Sequence, residues 1–214
     1  MGWPPLQVAA LASVALLAAF YPIAKGSKLG AKDIVAVATF ASAAIATNYS
    51  LAWLPNVKLM DALVFSTAFL FGLKVGAWTG AMIWAVYGSL NPYGFEPMTW
   101  LTTMAAESVY AALGAWARRG WGIGRGDGPY RPFAIAGLGA TLLYDAITNL
   151  ASGVIFSIYS GSLDWIRVSA IFLAGAPFSA VHVASNALIF PALGAPLVRK
   201  LSRIVGGEVG GDAQ

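Results

Sequence analysis

Cysteine is absent from the 214 residues, which excludes disulfides, thiolate metal sites and cysteine nucleophiles. Histidine occurs once, as His182, which argues against a histidine-built metal centre, though carboxylates could still hold a metal. Charge is scarce: 10% of the residues are Asp, Glu, Lys or Arg, against about 25% in an average soluble domain. Alternating strands of about ten residues, which would build an outer-membrane barrel, are also missing. No glycine-rich phosphate loop precedes a helix, and no Ser lies at short spacing from the His. Nor is there a paired acidic motif of the phosphatidyl-transferase kind, and Lys200 lies past any buried Schiff-base position. No catalytic constellation emerges, and no cofactor is expected.

What remains is apolar. Hydrophobic residues make up 58% of the chain and the mean hydropathy is +0.71. Runs of roughly 18 or more apolar residues recur, the pattern of spanning helices. The expected fold is an all-α integral membrane protein. Seven apolar segments are expected as helices, at about 5–23, 33–47, 59–71, 75–89, 98–117, 132–157 and 168–198. The second and third are short for a bilayer that needs about 20 residues. Between them "NYSLAWLPNVKLM" reads as an ordered, re-entrant or cap-like loop, since irregular backbone at this depth needs protein or water beside it. The tail "GGEVGGDAQ" reads as polar, Gly-rich and unstructured.

Seven spans can be tested against the positive-inside rule. Lys25, Lys28, Lys32, Lys74, Arg118, Arg119, Arg125, Arg131, Arg199, Lys200 and Arg203 fall on one side, and only Lys58 and Arg167 on the other. That bias places the C-terminus in the cytoplasm and the N-terminus outside a cell membrane crossed several times. The flank "MGWPPLQ" has no positive residue, and the lysines follow the apolar run, the reverse of a secretory signal. The net charge of +4 reflects topology, with no nucleic-acid footprint.

Buried charge needs a reason, because it costs about 2.5–3.5 kcal/mol or more at a bilayer centre. Glu107, Asp145 and His182 lie near the midpoints of three segments and suggest a shared network, with Asn186 beside His182 as support. Asp145, Asn149 and Ser152 share one helical face by their i, i+4, i+7 spacing. Thr99, Trp100, Thr103 and Glu107 form another stripe, and Trp84, Tyr87 and Asn91 line the outer end of the fourth segment. With Trp53 and Asn56 from the loop, these are the candidate substrate-binding residues: a concave site with aromatic walls and a few fixed polar groups. Gly72, Gly76 and Gly80 allow close packing of the third segment on the fourth. Ala38, Ser42 and Ala46 make a small-residue ridge on the second segment, suited to another helix of this chain or of a partner.

Several stretches taken together resemble a known family. The Ala/Ser ridge comes first, then a Pro-containing loop leading through "NVKLMDALV" into a short helix. The turn "FGLKVGAWTG" follows, with Leu73 where the family usually has proline, and then "LLYDAITNL" and "PFSAVHVASNALIF". In this order the chain, over about 33–200, resembles the substrate-binding S components of energy-coupling factor vitamin transporters. The resemblance implies a six-helix core at 33–200. The preceding residues 1–32 would be an extra N-terminal helix and basic loop, and 201–214 a cytoplasmic tail. It implies capture of a vitamin-like micronutrient on the outer side without chemistry, beneath loop 48–58. It also implies docking through Ala38, Ser42 and Ala46 onto a transmembrane coupling subunit driven by two cytoplasmic ATPases. Two other readings stay open: a small membrane enzyme using Glu107 or Asp145 as acid or base on a lipid-like substrate, and a structural assembly protein whose polar groups only fasten helices.

Overall fold

The computed structural model describes residues 28–92, 94–121 and 131–211, with backbone only over 205–211. The segment at 5–23 lies outside the described residues. Among the described residues there are helices and turns and no strand. The helices are α1 (Ala31–Ser50), α2 (Met60–Phe71), α3 (Leu73–Ile83), α4 (Pro97–Ala106), α5 (Ser108–Gly120), α6 (Arg131–Tyr159), α7 (Trp165–Ala174), α8 (Ala176–Ile189) and α9 (Ala195–Gly211). Two π-helical turns, Trp84–Gly88 and Phe190–Gly194, extend α3 and join α8 to α9. Two stretches, Arg131–Tyr159 and Ala176–Ile204, are long and apolar enough to cross a membrane.

The shortness of α2 has a structural cause. Eleven of its twelve residues are buried, so it is the central post of the bundle rather than a lipid-facing span. It packs against α1, α3, α5 and α9. Close approach is possible because small residues meet it: a Cβ on Gly114 would strike the Phe65 carbonyl, and one on Gly76 would strike Ala68. The turn from α2 into α3 passes through Gly72 at φ 99°, a backbone conformation that L side chains rarely adopt. Midway along α2, Phe65 makes edge contacts with Phe133 and Phe190, at 5.8 and 5.3 Å between centroids, and Trp121 packs on Phe133 at 5.2 Å.

Two segments read as single helices are broken. The stretch at 98–117 divides at Glu107, between α4 and α5. The Thr103 and Ser108 hydroxyls donate to the Trp100 and Ala105 carbonyls there, and such local bonds compete with the helical ladder. The stretch at 168–198 begins earlier, at Trp165, and divides at Gly175. Pro177 supplies no backbone N–H and its ring crowds the carbonyl four residues back. Both α7 and α8 lie along α6, which remains a single helix of 29 residues. At the other end of the chain, α9 carries helical backbone to Gly211, into the stretch that composition had read as an unstructured tail.

Candidate functional site

The ionisable residues of the interior converge on His182. Its Nδ1 lies 2.8 Å from Asp145 Oδ1 and its Nε2 lies 2.7 Å from Asp61 Oδ2. All three side chains are buried. A neutral imidazole offers one N–H and one lone pair. The lone pair can face a carboxyl oxygen at this distance only if that carboxyl carries a proton. The three groups therefore share two protons, on both ring nitrogens or on one nitrogen and one acid.

The network continues inward along α6 and α8. Asn186 Nδ2 donates to Asp61 Oδ2 at 2.7 Å and lies 2.8 Å from Thr141 Oγ1. The Thr141 hydroxyl donates to the Gly137 carbonyl at 2.6 Å and accepts from the Tyr110 hydroxyl at 3.1 Å. The Tyr144 ring stands edge-on to the imidazole, 5.8 Å away. This seals four helices together, α2, α5, α6 and α8.

Sequence reasoning offered Asp145 or Glu107 as the partner of His182, with Asn186 in support; the structure pairs the imidazole with Asp145, while Asn186 bonds Asp61 and Thr141 instead. Sequence reasoning missed Asp61, the second ligand of the imidazole. An acid inside an apolar helix is itself a signal, but Asp61 is the second residue of α2, and a criterion of helix midpoints passes over it. Glu107 is not bonded to His182. It sits at the α4–α5 break, and its Oε2 accepts the Trp84 indole N–H at 3.0 Å. Its Oε1 is buried without a partner.

The second polar region is open. A hollow of about 420 Å³ is lined by Trp84, Asn91, Glu96, Thr99, Trp100 and Thr103, with Phe95 and Phe156 at its sides. Trp100 Nε1 donates to the Trp84 carbonyl at 2.7 Å, which fixes one indole above the other's backbone. Gly88 makes room for this: a Cβ there would lie 2.5 Å from Trp100 Cδ1 and 2.7 Å from Trp84 Cε3. Lys58 Nζ stands 5.1 Å from the Trp84 ring centroid, a cation–π contact that ties the loop before α2 to the hollow.

Glu96 forms the rim and caps α4. Its carboxylate accepts the Met98 and Thr99 backbone N–H groups, at 3.0 and 2.6 Å, and the Tyr159 hydroxyl at 2.8 Å. Partial burial pushes its pKa up, but these backbone and hydroxyl donors outweigh it and hold the carboxyl below the usual glutamate value.

Trp84, Asn91, Trp100 and Thr103 are thus brought together as the sequence suggested. The other candidates are elsewhere. Tyr87 is buried, packed on Tyr49 at 5.2 Å and on Trp84 at 6.1 Å. Trp53 is 75% exposed on the loop surface. Asn56, at φ 59°, donates to the Phe178 carbonyl at 3.0 Å and pins the loop to α8.

Asp145 and Asn149 do share a face of α6, as their spacing required, but that face turns to α8. Both line a separate, almost wholly apolar hollow of about 480 Å³ with Leu142, Phe172, Ser179 and Val183. Asn149 Nδ2 donates to Ser179 Oγ at 3.0 Å, and its amide fills the space beside Gly175 where a Cβ would stand. Ser152, one turn further, is half-buried. The single pocket expected from D-, N-, S-, W- and T-bearing faces is therefore two hollows, because helix packing, not spacing, decides which neighbour a face meets.

Ala38, Ser42 and Ala46 are exposed along α1, whose core face is Ala36, Val37, Phe40, Ala41, Ala44 and Asn48. Of the glycine stripe, Gly76 closes α3 on α2, and Gly80 admits the Glu107 side chain. Among the described residues no cluster of three or more acids and histidines is arranged to hold a metal ion. In comparisons with known proteins, no family model, no curated protein and no solved structure matches the chain.

Proposed function

We propose that this chain is the solute-capturing membrane subunit of an importer of the energy-coupling-factor kind. It would bind a small planar or heterocyclic micronutrient without transforming it. The observation that carries this reading is the hollow of about 420 Å³ between two indoles, Trp84 and Trp100, with Asn91, Thr99 and Thr103 as fixed polar groups. Apolar walls with a few oriented donors and acceptors are what small-molecule sites have in common.

The remaining parts of the reading follow the sequence. The two long apolar helices Arg131–Tyr159 and Ala176–Ile204 support membrane residence, and the lysine and arginine bias supports several crossings with a cytoplasmic C-terminus. The exposed ridge Ala38, Ser42 and Ala46 suits a closely packed partner helix, here a coupling subunit served by two ATPases.

The experiment is mass spectrometry of small molecules carried through purification in detergent. A retained solute that disappears in Trp100→Ala, with the folded yield kept, supports the site; retention unchanged in that variant sinks it. Ala38→Trp should abolish assembly with the coupling subunit and spare solute retention.

An acid–base membrane enzyme is the second reading, favoured by the unpartnered Glu107 Oε1. It has the disadvantage that Glu107, Asp61 and His182 are all sealed from any substrate. Turnover of a lipid-like substrate without ATP would favour it.

A further inference from the structure

A further cavity serves neither polar region. It is a groove of about 680 Å³ between α5 and α6, walled by Val109, Leu113, Trp116, Trp121, Ile135 and Leu143. Its walls are apolar along their length, and several are open to the surroundings: Trp116 is 62% exposed and Ile135 70%. The floor opens at Gly139, where an added Cβ would meet nothing within 4 Å. No neighbouring element of the described chain covers it.

One end of the groove is basic. Arg118 and Arg119 lie on the last turn of α5, between the groove residues Trp116 and Trp121. Arg131 opens α6 next to Pro132, which also lines the groove. All three guanidinium-bearing residues are exposed, and none is in a described hydrogen bond or ion pair. Two indoles stand at this same end, in the position that aromatic side chains favour at a membrane interface. The groove is thus an apolar channel along the helices that terminates at a cluster of free positive charge and interfacial aromatics.

We infer that this groove is a binding site for one anionic phospholipid, with an acyl chain along Ile135, Gly139 and Leu143 and the phosphate among Arg118, Arg119 and Arg131. A solute or a peptide would match only one half of the site. An apolar body continuous with a fixed negative headgroup matches both, and arginine clusters between helices at the cytoplasmic surface are suited to such headgroups. The inference rests on the membrane reading above but is independent of the solute hollow.

The test uses the full chain in detergent, titrated with dioleoylphosphatidylglycerol or dioleoylphosphatidylcholine and read by native mass spectrometry. One phosphatidylglycerol should be retained in preference to phosphatidylcholine. Arg119→Ala and Arg131→Ala should each weaken the phosphatidylglycerol complex about fivefold and together about thirtyfold, leaving phosphatidylcholine binding unchanged. Gly139→Leu projects into open groove, so the fold should survive, and the retained lipid should be lost. Equal retention of the two lipids, or undiminished retention in Gly139→Leu, overturns the site. A second copy of the chain in place of the lipid, lost in Gly139→Leu, overturns it in favour of a dimer interface. Recovery of the chain from cells in the soluble fraction would overturn the membrane reading itself, whereas membrane-bound protein with no lipid preference would overturn only the site.

Discussion

The two polar regions differ in how their hydrogen bonds close. Around His182 nearly every donor has an acceptor within the bundle, and the bonds join four helices. Around Trp84 and Trp100 the bonds fix the walls, while Asn91, Thr99 and Thr103 border open space. Both regions put polar groups into an apolar chain. In the first most are bonded to one another, which fastens the helices and leaves only Asp145 Oδ2 and Asn186 Oδ1 over; in the second they face a volume that only a ligand or water can fill. The difference teaches that burial of an acid is poor evidence for a ligand site until its partners are counted.

That contrast can be broken most directly at His182. Its replacement by Ala leaves Asp61 and Asp145 buried with no proton-bearing group between them. The expected loss is about 3–5 kcal/mol, measured as thermal unfolding in detergent. Adding Asp61→Asn and Asp145→Asn to the same chain should recover part of that loss. Failure to recover would mean that the cavity, not the uncompensated charge, is what the variant costs.

A smaller effect is expected at the open region. Gly88→Ala forces both indoles to move, at about 1–3 kcal/mol for an overpacked site. Its main consequence should be loss of any retained solute by more than its effect on unfolding predicts. Equal proportional losses in Gly88→Ala and His182→Ala would erase the distinction between the regions.

The smallest effect belongs to the rim. Glu96 has a folded pKa below its ordinary value of 4.5. Its contribution is therefore complete above that ordinary value, and it fades as the pH falls through the lowered one. The group is only half-buried, so water screens it, and the cap contributes on the order of 1 kcal/mol. An unfolding profile from pH 6 down to 3 should show this slope in the native chain and lose it in Glu96→Ala.

Much of the scaffold was legible because apolar length is local information: the segments at 33–47, 59–71, 75–89 and 132–157 each contain a helix close to the expected bounds. The breaks at Glu107 and Gly175 were not, although Pro177 two residues beyond Gly175 was a visible warning. In the site, faces were legible and neighbours were not. Asp145 and Asn149 do lie on one face of α6, yet their partners His182 and Ser179 are 37 and 30 residues away. Asp61 meets His182 across 121 residues, a separation over which a single sequence carries no pairing signal. The indole pair was easier, because Trp84 and Trp100 are 16 residues apart at the two ends of one short connection.

The order in which the network's members occur along the chain has a consequence for biosynthesis. Asp61 and Asp145 are made well before His182, the only imidazole in the protein. Until α8 emerges, the two acids have no imidazole to share and must wait hydrated or protonated. The arrival of that helix then joins α2 to α6 through one ring. Chains truncated before residue 182 should therefore be handled by the cell as unfinished, however hydrophobic their earlier helices are.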